Sequence, residues 1–171
     1  MSDGDSTEFV LAGVVMKRLL SGEQTAGQFC LFENTSDGNT RTPIHVHAKD
    51  DETIYIIEGE LTAVMDGRPR RLTAGDSIFL PRGIPHQLMN MSCKPGRYIL
   101  IGTPAVFDRF LQEAGRALRP DEVAGPPTPE DIERLREASP RFGITLLSDW
   151  PPADVTPSVP GSKSPDEQQA F

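Results

Sequence analysis

The chain has 171 residues, 37% of them hydrophobic, and a net charge of −8 at neutral pH. This length is typical of one domain with a sizeable core. Binding of a phosphate backbone needs a basic face, so this charge argues against a nucleic-acid partner and is typical of a soluble protein. The sequence has no apolar run of 18 residues, its N-terminus is acidic, and its two cysteines are isolated. We therefore expect a cytoplasmic protein without a membrane span or a secretory signal.

The N-terminal part is predicted to be mainly strand. Two strands are expected, one from Phe9 to Leu20 and one from Gln28 to Glu33. The segment from Asn34 to Thr42 is polar and is predicted to be a loop. Residues 43–101 follow as a region of short strands.

All three histidines of the chain belong to one spaced pattern with a glutamate. Side chains two residues apart on a strand point to the same face, so His45 and His47 direct two imidazoles into one interior. Glu52 opens the next strand-like segment, where its carboxylate can face the same point. His86 is brought inward on a further strand. The sequence therefore predicts a site for a single metal ion.

Turn signals separate the strands around this pattern. The pair Asp66-Gly67 predicts a tight hairpin. In the segment from Pro81 to Gly83, proline fixes φ and glycine is free to adopt a positive φ. Further strands are predicted at Leu61–Met65, Ser77–Leu80, Gln87–Asn90 and Tyr98–Ile101.

The C-terminal part is predicted to be helical and then irregular. Four apolar residues recur with helical spacing and are expected to pack on the outside of the strand region: Phe107, Phe110, Leu111 and Ala114. A second short helix is expected after Thr128, which would be its N-cap residue, with Asp131 at position N3. From Pro151 onward the chain is rich in helix and strand breakers and is predicted to be mobile.

The donor set favours a divalent transition metal whose coordination is incomplete. Three imidazole nitrogens and one carboxylate oxygen bind at about 2.0–2.2 Å and leave roughly two positions free on an octahedral ion. Such ligands accept Fe, Mn, Ni, Co or Zn, so the identity of the metal stays open. A closed structural zinc site would recruit cysteine pairs, and Cys30 and Cys93 lack that spacing. The alternatives are a fold that binds no metal, and a Glu52 that lies on the surface of its strand.

Two motifs resemble the signatures of the cupin family. The first is Gly38 followed by His45-x-His47-x4-Glu52-x6-Gly59, and it departs from the family pattern only by one extra residue after its leading glycine. The second fits at every fixed position: Gly75-x5-Pro81-x-Gly83-x2-His86-x3-Asn90. The flanking segments are similar to single-domain quercetinase-like members, that is, cupin type 2 proteins.

This resemblance implies an all-β fold, an antiparallel jelly-roll barrel with one or two short C-terminal helices. The expected organisation is a flexible N-terminus (1–7), one cupin domain (8–148) with its metal-motif core at 38–101 and helices at 104–140, and a disordered tail (149–171). Dimers are common in the family, so a homodimer is expected. Neither a membrane nor nucleic acid is expected as a partner.

The resemblance also implies a metal-dependent dioxygenase that acts on a flavonol-like or other enolic or phenolic small molecule, with O2 as co-substrate. Glu52 would then be both ligand and catalytic base. Side chains expected to line the substrate pocket are Phe29, Ile54, Ile56, Met65 and Leu88. Two other classes stay open: a non-redox lyase, isomerase or cyclase that uses the same metal as a Lewis acid, and a small-molecule-binding protein without turnover.

Overall fold

The computed structural model describes residues 7–147, and this part of the chain consists mainly of antiparallel strands. They are β1 (Glu8–Leu11), β2 (Val14–Leu20), β3 (Cys30–Ser36), β4 (Thr40–Arg41), β5 (His45–His47), β6 (Asp51–Glu58), β7 (Glu60–Met65), β8 (Arg68–Thr73), β9 (Ser77–Leu80), β10 (His86–Asn90), β11 (Gly96–Thr103), β12 (Arg116–Ala117) and β13 (Ile144–Leu146). The helices are α1 (Val106–Ala114), α2 (Pro129–Ala138) and a 3-10 helix (Ser139–Phe142).

Two of the segments expected from the sequence lie outside the described residues. These are the N-terminus, apart from Thr7, and the tail at 149–171. Within residues 7–147, none of the helices has the length and the apolar character needed to cross a membrane.

The strands form two sheets that enclose the core. One sheet has the order β12-β1-β2-β3-β11-β6-β9, and the other has the order β13-β5-β10-β7-β8 with β4 beside β10. Buried and half-buried residues alternate along β3, β10 and β11, because one face of each strand packs on the interior. The predicted mainly β fold of antiparallel sheets with short helices is confirmed.

Two turns show why particular residues are required. Asp66 and Gly67 both adopt a left-handed conformation, with φ of 50° and 72°, and form the tight hairpin between β7 and β8, as predicted. Gly38 lies so close to the segment after β10 that a Cβ atom there would stand 2.6 Å from the Ser92 carbonyl oxygen. A larger residue at position 38 would push these two segments apart.

The predicted loop from Asn34 to Thr42 is too long. β3 continues through Ser36, and β4 covers Thr40–Arg41. The polar composition was misleading because Asn34 and Ser36 are buried on the inner face of β3. Asn90 holds this region in place, since its amide nitrogen donates to the carbonyl oxygens of Ser36 at 3.0 Å and of Lys94 at 2.8 Å.

Helix α1 forms as predicted, but it does not pack on the barrel exterior. Its apolar face, which includes Phe107 and Phe110, lies over the mouth of the barrel, and both rings line the same cavity as His47. The reason is topological. β11 ends beside Glu52, which pairs with Gly102, so the chain leaves the sheet at the end of the barrel that holds the histidines.

The predicted cap of α2 is confirmed and makes a stability test. The Thr128 hydroxyl accepts a hydrogen bond from the Asp131 amide at 3.2 Å, and the Asp131 carboxylate accepts one from the Thr128 amide at 3.0 Å. Thr128→Ala is expected to lower the free energy of unfolding by about 1 kcal/mol in urea denaturation, because a helix N–H loses its partner. Thr128→Ser keeps the hydroxyl and should retain stability. An equal loss in both variants would contradict the cap as the cause.

Candidate metal centre

Two of the candidate ligands come from the shortest strand of the site. His45 and His47 stand at the two ends of β5, so both imidazoles point to the same side. β5 lies between β10 and β13, where His86 pairs with His45 and Ile144 pairs with His47. The third imidazole is therefore placed by the neighbouring strand.

Glu52 reaches the same point from the opposite sheet. Its Oε2 atom lies 3.4 Å from His86 Nε2, and its Oε1 atom lies 3.9 Å from His47 Nε2. One donor atom from each of the four residues lies within 4.8 Å of the others. Ligands bound at about 2.1 Å around one ion are roughly 3 to 4 Å apart. The spacing of these donors therefore fits a single metal ion.

The outer nitrogen of each imidazole is turned toward an oxygen acceptor. Nδ1 of His45 donates to the Pro43 carbonyl oxygen at 2.8 Å, and Nδ1 of His86 donates to the Ile84 carbonyl oxygen at 3.1 Å. A carbonyl oxygen only accepts, so these Nδ1 atoms carry the proton and the Nε2 lone pairs face inward. This is the tautomer that a metal ligand requires.

His47 is oriented by a carboxylate that sequence reasoning missed. Asp50 is 1% exposed, and its Oδ1 atom lies 3.1 Å from His47 Nδ1. A carboxylate behind a histidine ligand fixes the ring and increases its basicity. Its sequence neighbour Asp51 is instead paired with Arg82 on the surface at 2.8 Å. The sequence offered no signal to distinguish the two aspartates, because both belong to one polar turn.

Burial and neighbouring charges shift the pKa values of three residues in the cluster. Burial, and then the charges of His86 and His47, lower the pKa of His45 to about 3, so its imidazole is neutral. Burial would raise the pKa of Glu52, but His47 and then His86 hold it down at about 2. Burial also opposes protonation of His47, yet Glu52 and Asp50 outweigh it and raise the pKa of His47. The ionised Glu52 and the neutral His45 can bind a cation, and such a cation would replace the proton that the carboxylates favour on His47.

His86 gives a further indication that these residues fit a metal ion. Its Nε2 atom is buried, and its nearest charged neighbour, Glu52 Oε2 at 3.4 Å, does not form a hydrogen bond of good geometry with it. A buried polar atom without a partner costs free energy. Coordination of a cation by this lone pair would remove that cost.

The cluster opens onto a small apolar cavity of about 70 Å³. Leu88, one of the five residues proposed for a substrate pocket, lines it. The other four residues proposed for a substrate pocket are described but do not line this cavity: Phe29 is half-buried in the loop before β3, Ile54 and Ile56 are fully buried in the core, and Met65 lies across from His86 on β7. In a barrel whose core is apolar, side chains in phase with a ligand are as easily used for packing as for binding.

Among the lining residues that were not singled out for the site from the sequence, three are aromatic. Phe107 and Phe110 reach the cavity from α1, and Tyr98 reaches it from β11. The ring of Phe107 lies 6.3 Å from the ring of His47 at an angle of 26°. The helical pattern revealed that the two phenylalanines are apolar, but not what they cover.

Known proteins are similar to this chain in sequence and in fold. Residues 32–102 match the cupin domain family. The chain is 30% identical over 107 residues to the HTH-type transcriptional regulator PuuR of Escherichia coli, over 63% of this chain and 57% of PuuR. It is 26% identical over 125 residues to quercetin 2,3-dioxygenase of Bacillus subtilis, over 67% of this chain and 36% of that enzyme. The chain thus spans about half or less of the length of these relatives.

A solved structure with a similar fold is that of the polyketide cyclase RemF from Streptomyces resistomycificus. The TM-score is 0.52 at 24% identity, over 60% of this chain and 77% of RemF. The match over residues 32–102, the paired antiparallel sheets and this structural similarity together show that this part of the chain has the fold of a cupin domain.

Proposed function

We propose that this protein is a metal-dependent enzyme, a dioxygenase that acts on an enolic or phenolic small molecule. The observation that carries the proposal is the convergence of His45, His47, Glu52 and His86 beside an apolar cavity. Four donors leave roughly two coordination positions on an octahedral ion, and a cavity beside them gives a substrate room to approach. The likeness to a quercetin dioxygenase favours redox chemistry.

The residues of the cluster and of the cavity walls would have different roles in this reaction. The three imidazoles and the Glu52 carboxylate would hold a divalent transition metal, which would supply Lewis acidity toward a substrate oxygen and a centre for O2 chemistry. Glu52 would accept the proton of the substrate hydroxyl. With a pKa of about 2, it is a weak base at neutral pH, so it can act only on a hydroxyl whose acidity the ion has increased. The apolar walls would exclude water.

A second candidate function is ligand binding without turnover. It is favoured by the 30% identity to a transcriptional regulator. The donor cluster would then hold a metal ion whose coordination the bound ligand completes, and no product would form. A non-redox lyase, isomerase or cyclase differs from both in converting a substrate without consuming O2.

Metal content and oxygen uptake together test the proposal. Protein purified without a histidine tag is analysed for metals, loaded with the ion found, and assayed for O2 uptake with a panel of enolic and phenolic compounds. We expect uptake by the wild type and its loss in Glu52→Gln, which keeps the size of the side chain but removes its charge. Substrate loss without O2 uptake would support the non-redox reading, and binding without any product would support the binding protein. Either result would contradict the dioxygenase.

A further inference from the structure

The size of the cavity limits what can bind beside the donor cluster. Its volume is about 70 Å³, whereas an apolar cavity of about 150 Å³ in a protein core holds benzene. Pockets for ligands of several rings are larger still, at roughly 300–1,000 Å³. By this comparison the cavity holds about three to five non-hydrogen atoms. A three-ring flavonol is therefore larger than the enclosed part of the cavity.

The wall that sets this limit is a packed aromatic cap on the mouth of the barrel. Phe107 lies over His47, and its ring also contacts those of Phe32 at 5.7 Å and Phe110 at 5.6 Å. Phe110 in turn contacts Phe142 at 5.8 Å. Because each ring is fixed by others in the core, widening the cavity would require repacking of the cap.

The charge of the site limits the ligand in a second way. Among the described residues that line the cavity there is no lysine or arginine. A divalent ion held by neutral imidazoles would be offset by the ionised Glu52 and by the buried carboxylate of Asp50 behind His47, so the site would carry at most one positive charge. A substrate that becomes a monoanion adds one negative charge there, whereas a dianion would bury a second negative charge without a counter-ion, which is costly.

Two residues that carry hydroxyl groups, Tyr98 and Thr42, also line the cavity. Tyr98 is 3% exposed. Its phenolic hydroxyl, which interacts with the Asn34 side chain, can donate or accept a hydrogen bond. A compact ligand with a second oxygen atom would therefore find a polar partner in an otherwise apolar space.

We propose that this site takes short, uncharged, enolisable hydroxycarbonyl compounds, and that Phe107 sets the upper limit on their size. The inference rests on the proposed metal-dependent function and narrows its substrate class. On binding, the O–H bond of the substrate breaks and its oxygen keeps the electron pair. The proton passes to Glu52 or to solvent, and no electron is transferred in this step.

Calorimetric titration of the metal-loaded protein tests the proposed substrate class directly. The probes are hydroxyacetone as the short uncharged compound, benzoylacetone and quercetin as larger enolic compounds, and oxalate as a small dianion. We expect hydroxyacetone to bind at least tenfold more tightly than each of the other three. Equal or tighter binding of quercetin would overturn the size limit, and equal or tighter binding of oxalate would overturn the charge argument.

Variants of the cap test the role of Phe107. Phe107→Ala should increase the affinity for benzoylacetone at least tenfold while hydroxyacetone still binds. Phe107→Leu is the milder variant if the alanine variant fails to fold, and it should shift the preference in the same direction. Phe79→Ala, which removes a ring that is 56% exposed on β9, is the matched control and should leave the preference unchanged. An unaltered preference in a folded Phe107 variant would overturn the assignment.

The two proposals fail in distinguishable ways. If the same samples retain no metal or show no O2 uptake with any compound, the proposed dioxygenase is wrong. If they retain metal and consume O2 with quercetin but do not bind hydroxyacetone, the dioxygenase stands and the substrate class is wrong.

Discussion

Replacing His86 with alanine is expected to abolish metal retention while the barrel stays folded. The variant removes one of three nitrogen donors, and the remaining His45, His47 and Glu52 hold a divalent ion far more weakly. Metal content measured by elemental analysis should fall from about one ion per chain toward zero. The far-ultraviolet circular dichroism should stay that of a β protein, because the core around His86 is formed by many other residues.

Met89 offers a matched control on the same strand. Met89 is half-buried and lies on the opposite face of β10 from His86. Met89→Ala should keep its metal although it removes a larger side chain. Full metal occupancy in folded His86→Ala would show that the ligand assignment is wrong. Loss of metal in both variants would point to general damage to β10 instead.

The second large effect is expected at Asp50, which binds no metal itself in this scheme. Asp50→Asn keeps the size of the side chain but removes the negative charge 3.1 Å from His47 Nδ1. The imidazole then becomes a less basic ligand, and loss of such a supporting carboxylate typically costs about 10–100-fold in metal affinity. Competition with a chromophoric chelator at constant pH measures this change.

The neighbouring residue provides the control for this variant. Asp51→Asn removes the same charge from the same turn, but it breaks only the partly exposed pair with Arg82. Exposed ion pairs contribute little, so the metal affinity should stay within about twofold of the wild type. If the two variants weaken metal binding equally, the effect of Asp50 reflects the general charge of the turn and not its contact with His47.

Local patterns in the sequence determined the parts of this protein that depend on near neighbours. The alternation along a strand placed His45 and His47 on one face, the Asp66-Gly67 pair formed its hairpin, and Thr128 capped α2, all as predicted. Each of these outcomes depends on residues within about four positions, whose geometry is set by backbone sterics and short-range hydrogen bonds.

Only the tertiary structure determined which surfaces of the strands and helices pack against each other. Glu52 reaches the histidines from the opposite sheet, and Asp50 turns inward while Asp51 turns outward. Helix α1 covers the mouth of the barrel because β11 ends there, so Phe107 defines the cavity and most of the expected pocket residues do not line it. Such outcomes depend on how distant segments pack together, and one apolar pattern is compatible with several partners until the whole core is assembled.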